Sequence, residues 1–208
     1  MLIKNSKTDI KNNIFKQNII DPECCLLNKC LGTRNSFYEK ESTNIVKYYK
    51  DENIFATEII LHQYLSNKKI TTDFDIDLKN KKLSYIIDGK ISLYNYLETC
   101  NHYGKIRVLS NELFAFVNNF KKYNFVHGNV HIANVFVNPK TLKLYTIDFT
   151  HSRFLPKQGT LQTEKSFIQQ DLNSLYKSLK KYFTQKGDCK SLLYLDNLFF
   201  DFNPLKSN

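Results

Sequence analysis

No stretch of this chain is apolar and long enough to span a membrane, and its first residues, MLIKNSKTDIKNNIFK, lack the apolar core of an export signal. No C-x-x-C pair occurs among the five cysteines; Cys24, Cys25 and Cys30 are irregularly spaced, and Cys100 and Cys189 stand alone. Such spacing argues against a zinc site or a disulfide framework, and it points to a reducing intracellular compartment, cytoplasm or nucleus. Arginine is scarce: Arg34, Arg107 and Arg153 are the only three, so lysine carries nearly all of the formal net charge of +10. Lysine alongside abundant Asn, Ile, Tyr and Phe looks like A/T-rich coding bias, and pairs such as Lys81–Lys82, Lys121–Lys122 and Lys180–Lys181 mark solvated faces. The charge admits a nucleic-acid or acidic partner without selecting one. Glycine is sparse as well, at six residues, and neither repeats nor low-complexity linkers occur.

What remains is globular in character. Hydrophobic residues make up 42% and aromatics 14% of 208 residues, enough for one good core or two small lobes sharing a cleft. The first 22 residues read as a polar leader, ending at Asp21-Pro22. Strand-like runs follow at 26–31, 36–40 and 44–50, with Gly32 at the first turn. The period of Phe55, Ile59, Leu61 and Tyr64–Leu65 predicts a helix over 52–65. Strands are expected at 74–78 and 83–88, joined by the turn Lys79-Asn80-Lys81. Beyond Asp88-Gly89 come a short helix at 92–99 and a longer one at 106–123, whose Ile106, Leu109, Leu113, Phe116 and Phe120 form a one-sided stripe. Residues 158–162 read as loop. Ile168, Leu172, Leu175, Leu179 and Tyr182–Phe183 define another amphipathic helix, and the apolar stretch 192–200 reads as helical.

The most informative segment is residues 126–154, VHGNVHIANVFVNPKTLKLYTIDFTHSRF. Alternating runs at 135–137 and 143–149, separated by Asn138-Pro139, read as a β-hairpin. That hairpin carries an amide, Asn134, and a carboxylate, Asp148, to one end, as a magnesium-nucleotide site requires. The His127-Gly128-Asn129 turn, Asn134 and the pair Asp148-Phe149 together resemble the catalytic segment of the protein-kinase-like superfamily, where H-[RG]-D-x-x-x-x-N precedes D-F-G. The resemblance extends by motif order from about Leu26 to Phe183. The HG form, a short segment after Asp-Phe and the absence of an A-P-E triplet make it most similar to the compact atypical kinases, RIO-like among them. Aminoglycoside and choline kinases share part of the pattern, but Phe149 favours the protein-kinase side.

The resemblance implies an α+β, bilobal protein-kinase-like fold. A small antiparallel β-sheet N-lobe with one helix (residues 23–88) would precede a truncated, mainly helical C-lobe (89–208), with Asp88 at the hinge beside the nucleotide. The chain would then end before several helices of a full-length kinase. Each role falls on a particular residue. Lys47 matches the lysine that pairs with phosphates, and Glu58 the carboxylate that holds it; Asn134 and Asp148 match the magnesium ligands. Gly32 opens the phosphate loop, whose later glycines are missing; Arg34 offers charge where they would supply backbone N–H groups. His127 would hold the loop's shape, and Asp171 would support it from a following helix; His131 has no counterpart role in the family and reads as a histidine packed in the loop. ATP and Mg2+ are the implied cofactors.

Two positions depart from the pattern. Asn129 stands where the catalytic aspartate belongs, and an amide cannot act as a base. Losing a general base typically costs about 10²–10⁴ in rate. Thr150 stands in place of the D-F-G glycine, limiting the backbone beside Asp148. The expectation is therefore an ATP- and Mg2+-binding, pseudokinase-leaning domain in which transfer to a protein Ser/Thr hydroxyl is weak or absent. The alternatives are an active minimal serine/threonine protein kinase, and a basic partner- or nucleic-acid-binding module on the same scaffold. Protein substrates or partners are expected, and no membrane association.

Overall fold

Alternation in the first half of the chain builds a sheet around β3 (Asn44–Tyr49). The computed structural model describes residues 31–32, 36–41, 43–98, 102–155 and 161–201. The expected leader, the strand residues 26–30, Arg34 and the cysteines other than Cys189 lie outside them. β3 pairs antiparallel with β2 (Ser36–Glu41) on one side and β5 (Lys82–Ile86) on the other. With β1 (Leu31–Gly32) and β4 (Asp73–Asp77) the sheet order is β1-β2-β3-β5-β4. Gly32 is a strand residue paired with Phe37, not the turn expected there, so the connection to β2 falls after it.

Helix α1 (Glu52–Ser66) follows β3 after one bend. Asp51 caps it, its carboxylate accepting from the N–H groups of Asn53 and Ile54 at 2.8 and 3.0 Å, with Glu52 in the positive first turn. Its buried face comprises Phe55, Glu58, Leu61, His62 and Leu65. Helical spacing thus turns one glutamate and one histidine inward, where each needs a partner. The loop after α1 is tied to the second half of the molecule: Thr146 N–H donates to Ile70 O at 2.9 Å.

The remaining strands are short. β6 (Ile91–Ser92), β8 (Val135–Val137) and β9 (Leu144–Thr146) form an antiparallel sheet of order β6-β8-β9, while β7 (Phe125–Val126) pairs with β10 (Arg153–Phe154). The expected hairpin is β8–β9. Its turn is held by Asn138, whose side-chain oxygen accepts from the N–H groups of Lys140 and Thr141. Its second strand stops at Thr146 rather than Phe149, because Asp148 adopts φ +66°, which no strand can continue.

Helices α2 (Leu93–Glu98), α3 (His102–Lys122), α4 (Leu161–Gln185) and α5 (Cys189–Asp201) complete an α+β chain with small antiparallel sheets and five helices among the described residues. The α3 stripe is buried at all five expected positions. It packs with Leu175, Leu179 and Phe183 of α4 and Leu195 of α5 in the larger apolar cluster; a smaller one joins Tyr49, Phe55, Leu83 and Tyr85 to Phe136 and Ile147. Helix α4 already includes Leu161 and Gln162, where loop was expected. Good helix formers such as Leu, Gln, Glu and Lys run from 161 to 168 with no glycine or proline between them. It ends at Gly187, whose φ of +65° lets its N–H reach Thr184 O while Asp188 N–H reaches Phe183 O. Asp188 then caps α5 through Ser191 N–H at 3.0 Å. Among the described residues, no helix is long and apolar enough to cross a membrane.

The docking of α4 is testable by contrast. Leu175→Ala, in the core, is expected to destabilise by about 2–5 kcal/mol, and Leu193→Ala, 66% exposed on α5, by about 0.5 kcal/mol or less. Equal losses in urea unfolding would contradict this packing.

Candidate functional site

Lysine in a strand usually points to water, yet Lys47 is fully buried. On β3 it shares a face with Tyr49, whose ring centroid lies 4.9 Å from its ammonium. The ammonium donates to Glu58 Oε2 and Oε1 at 2.7 and 2.9 Å and to Asp148 Oδ1 at 2.7 Å. It also contacts the Thr150 hydroxyl. Burial alone would lower its pKa, but Asp148 and Glu58 outweigh that and hold the ammonium above lysine's ordinary value.

Glu58 is fixed from three directions. Its Oε1 accepts from Lys47, from the Tyr85 hydroxyl at 3.0 Å and from Phe149 N–H at 2.9 Å. The last bond couples α1 directly to the segment after β9. Phe149 itself is buried, its ring edge-on to His62 at 4.4 Å and to Phe125 at 5.6 Å. Asp148 sits between Phe149 and the hairpin with left-handed backbone, a costly conformation for a residue with a side chain that persists where surroundings over-determine it. The Thr150 hydroxyl folds back and donates to Asp148 Oδ1 at 2.7 Å.

Beside this charged cluster lies a second network, built on a neutral histidine and one carboxylate. The N–H groups of His127 and Gly128 donate to Asp171 Oδ2 and Oδ1 at 2.9 and 2.8 Å, so one carboxylate of α4 clasps two successive amides of the loop. Burial pushes the Asp171 carboxyl up to about 6, against the pull of those two N–H groups and of Arg153. His127 Nδ1 accepts from Asn129 N–H at 3.3 Å, so its Nε2 carries the proton and faces Thr146 Oγ1 at 2.7 Å and Ile147 O at 3.1 Å. Burial lowers His127 to about 4, keeping the ring neutral. Thr146 Oγ1 passes the chain on, donating to Asn134 O. Asn134 Nδ2 donates to Asn129 O at 3.3 Å, which leaves the amide oxygen as the acceptor end of that side chain. Asn129 is thereby pinned through both its N–H and its carbonyl, and its side chain is half-buried.

Of the residues singled out by sequence, Lys47, Glu58 and Asp148 meet directly, and His127, Asn129, Asn134 and Asp171 form the adjoining network. Asp88 is exposed in the turn from β5 to β6 and takes no part in either. Gly32 pairs with Phe37, which precedes the Lys47 partner Tyr38 along β2, while the residues between Gly32 and β2 lie outside the described ones. His131 packs in the loop as expected, its Nδ1 accepting from Ala133 N–H, and burial lowers it to about 4. Sequence reasoning missed Tyr85, Thr146 and His62, and it read Thr150 only as a backbone restriction. Alternation along β5 places Leu83 and Tyr85 on one face, so an inward hydroxyl at Tyr85 was the one available signal.

Gly128 is conformationally required. Its φ is +78°, and an added Cβ would lie 2.4 Å from His151 O. Gly128→Ala should cost about 1–3 kcal/mol from backbone strain alone, before the clash, and a melting temperature equal to wild type would refute the loop geometry. The buried histidines set the acid response. Between their ordinary 6.5 and about 4 in the fold, the unfolded chain binds protons that folded His127 and His131 refuse, so stability falls as pH drops through that window. Asp171, raised from 3.8 to about 6, acts in the opposite sense over its own window. His62, fully buried and held well below 6.5 by that burial, acts in the same sense as the other two histidines, so three groups oppose one and urea-unfolding free energy is expected to fall between pH 6 and pH 4.5. In His131→Gln two histidines still oppose Asp171, so the slope should become shallower without vanishing; an unchanged slope would count against this assignment. No family model matches this chain, and a search of curated proteins finds no match either.

Proposed function

We propose that this chain is a protein-kinase-like domain that binds ATP with Mg2+ between two lobes, with phosphotransfer to a protein Ser/Thr hydroxyl weak or absent. The carrying observation is the meeting of Lys47 from the five-stranded sheet, Glu58 from α1 and Asp148 from the end of the β8–β9 hairpin, all within 2.9 Å of the lysine nitrogen. In this reading residues 23–88 are the N-lobe, 89–208 a mainly helical C-lobe, and Asp88-Gly89 the hinge. Gly32 begins the phosphate loop.

The donor set fits the cofactor. Mg2+ is held by one or two carboxylates together with phosphate oxygens rather than by an all-protein cage. Asp148 supplies a carboxylate and Asn134 an amide oxygen. When bound, the metal would neutralise phosphate charge. Lys47 would pair with phosphate oxygens, and Glu58, fixed by Tyr85 and Phe149 N–H, would keep its ammonium in place.

The residue that limits the chemistry is Asn129. Its backbone is anchored by His127 and Asn134, and the loop before it by Asp171, so the position is built. Its amide can orient a hydroxyl but cannot take its proton. Positioning and charge dominate phosphoryl transfer, which is why residual activity is compatible with this site.

Wild type is expected to bind ATP in a Mg2+-dependent manner with negligible transfer. Asp148→Ala should abolish that binding, and Asn129→Asp should raise turnover by about 10²–10⁴ if a base is all that is missing. Turnover by wild type that disappears in Asp148→Ala would establish an active kinase instead. Binding indifferent to Asp148→Ala would remove the nucleotide role.

A further inference from the structure

Thr150 does more than replace a glycine. Four oxygens of three side chains stand within hydrogen-bond distance of the Lys47 ammonium, which has three protons to give. Three of those oxygens belong to carboxylates and hold the cation by charge. The fourth, Thr150 Oγ1, is neutral, and so is the partner most easily exchanged. The same hydroxyl sends its own proton to Asp148 Oδ1 at 2.7 Å, and it lies 3.4 Å from Glu58 Oε2. One side chain therefore occupies a lysine proton with its lone pair and an aspartate lone pair with its proton. Those are the two valences that a phosphate oxygen and a hard cation would each claim.

We infer that the Thr150 hydroxyl is a built-in competitor for the site, a self-ligand that a metal-bound nucleotide must displace from both Lys47 and Asp148. This rests on the nucleotide reading above, and it assigns to a residue of this chain a control over affinity that the backbone-restriction view of Thr150 does not contain. The hydroxyl is poised to compete because its attachment is short. Asp148 and Thr150 flank Phe149, whose N–H is fixed to Glu58 and whose ring is buried against His62 and Phe125. The threonine cannot drift away from the cluster while Phe149 stays seated. Its β-methyl, conversely, has no claim on either charge, so the effect belongs to the oxygen.

Valine keeps the branched shape and removes the oxygen; serine keeps the oxygen and removes the methyl. Titration of each protein with Mg2+ and a non-hydrolysable ATP analogue is expected to give roughly tenfold tighter binding for Thr150→Val and wild-type affinity for Thr150→Ser. Independently of nucleotide, the ammonium resonance of Lys47 in protein labelled with 15N at lysine Nζ should shift in Thr150→Val and stay in place in Thr150→Ser. Should the valine variant not fold, Thr150→Ala carries the same expectation. Wild-type binding left unchanged or weakened by valine would overturn the self-ligand and leave the nucleotide reading standing. Absence of analogue binding in all the variants, wild type included, would overturn both. An unmoved Lys47 resonance in Thr150→Val would overturn the contact on which the inference is built.

Discussion

A buried ammonium ion is among the costliest groups a fold can carry, and Lys47 is enclosed completely. Everything that makes this enclosure tolerable comes from somewhere else in the chain. Glu58 must lie on the inward face of α1, so Asp51 has to start that helix in the right phase. Asp148 must reach the lysine from the far side, so β9 has to stop at Thr146 and the backbone has to turn left-handed. Sheet, helix and hairpin are therefore all tied to one cation as well as to apolar packing, because removing the lysine would leave two carboxylates facing each other in a dry interior.

The neighbouring network works by the opposite principle. His127 is kept neutral, and the loop it shapes is held by bonds to backbone amides and carbonyls rather than by ion pairs. Asp171 is its charged anchor among the described residues, spending both oxygens on consecutive N–H groups. Thr146 is the hinge-pin between the two regimes: its N–H reaches the loop after α1, and its hydroxyl connects His127 to Asn134. A charged half that can exchange partners thus abuts a backbone-anchored half that cannot easily do so.

Much of this architecture was legible before any coordinates. Helical period located α1 and α3 to within a few residues, and alternation around Asn138-Pro139 located the hairpin. The α+β class was what the motif resemblance implied. Lys47, Glu58 and Asp148 were paired by motif resemblance alone, since nothing in local pattern says that a strand lysine faces inward. What escaped was tertiary. The Tyr85 hydroxyl and His62 matter only because α1 lies over β5. The Thr150 hydroxyl matters only because Asp148 is left-handed and Phe149 is pinned. Turn signals also misplaced Gly32, whose strand pairing depends on β2, and they failed at Leu161, where helix propensity without a breaker extended α4 toward its N-terminus.

The separation of Lys47 from its partners has a consequence for biosynthesis. Glu58 lies 11 residues beyond the lysine, but Asp148 lies 101 beyond it. At ribosomal speeds of about 5–20 residues per second, the lysine precedes its second carboxylate by roughly 5–20 s. Of the two carboxylates, Glu58 is therefore the first available to Lys47, and the α1 pairing can form before the hairpin that completes the charge cluster has been made.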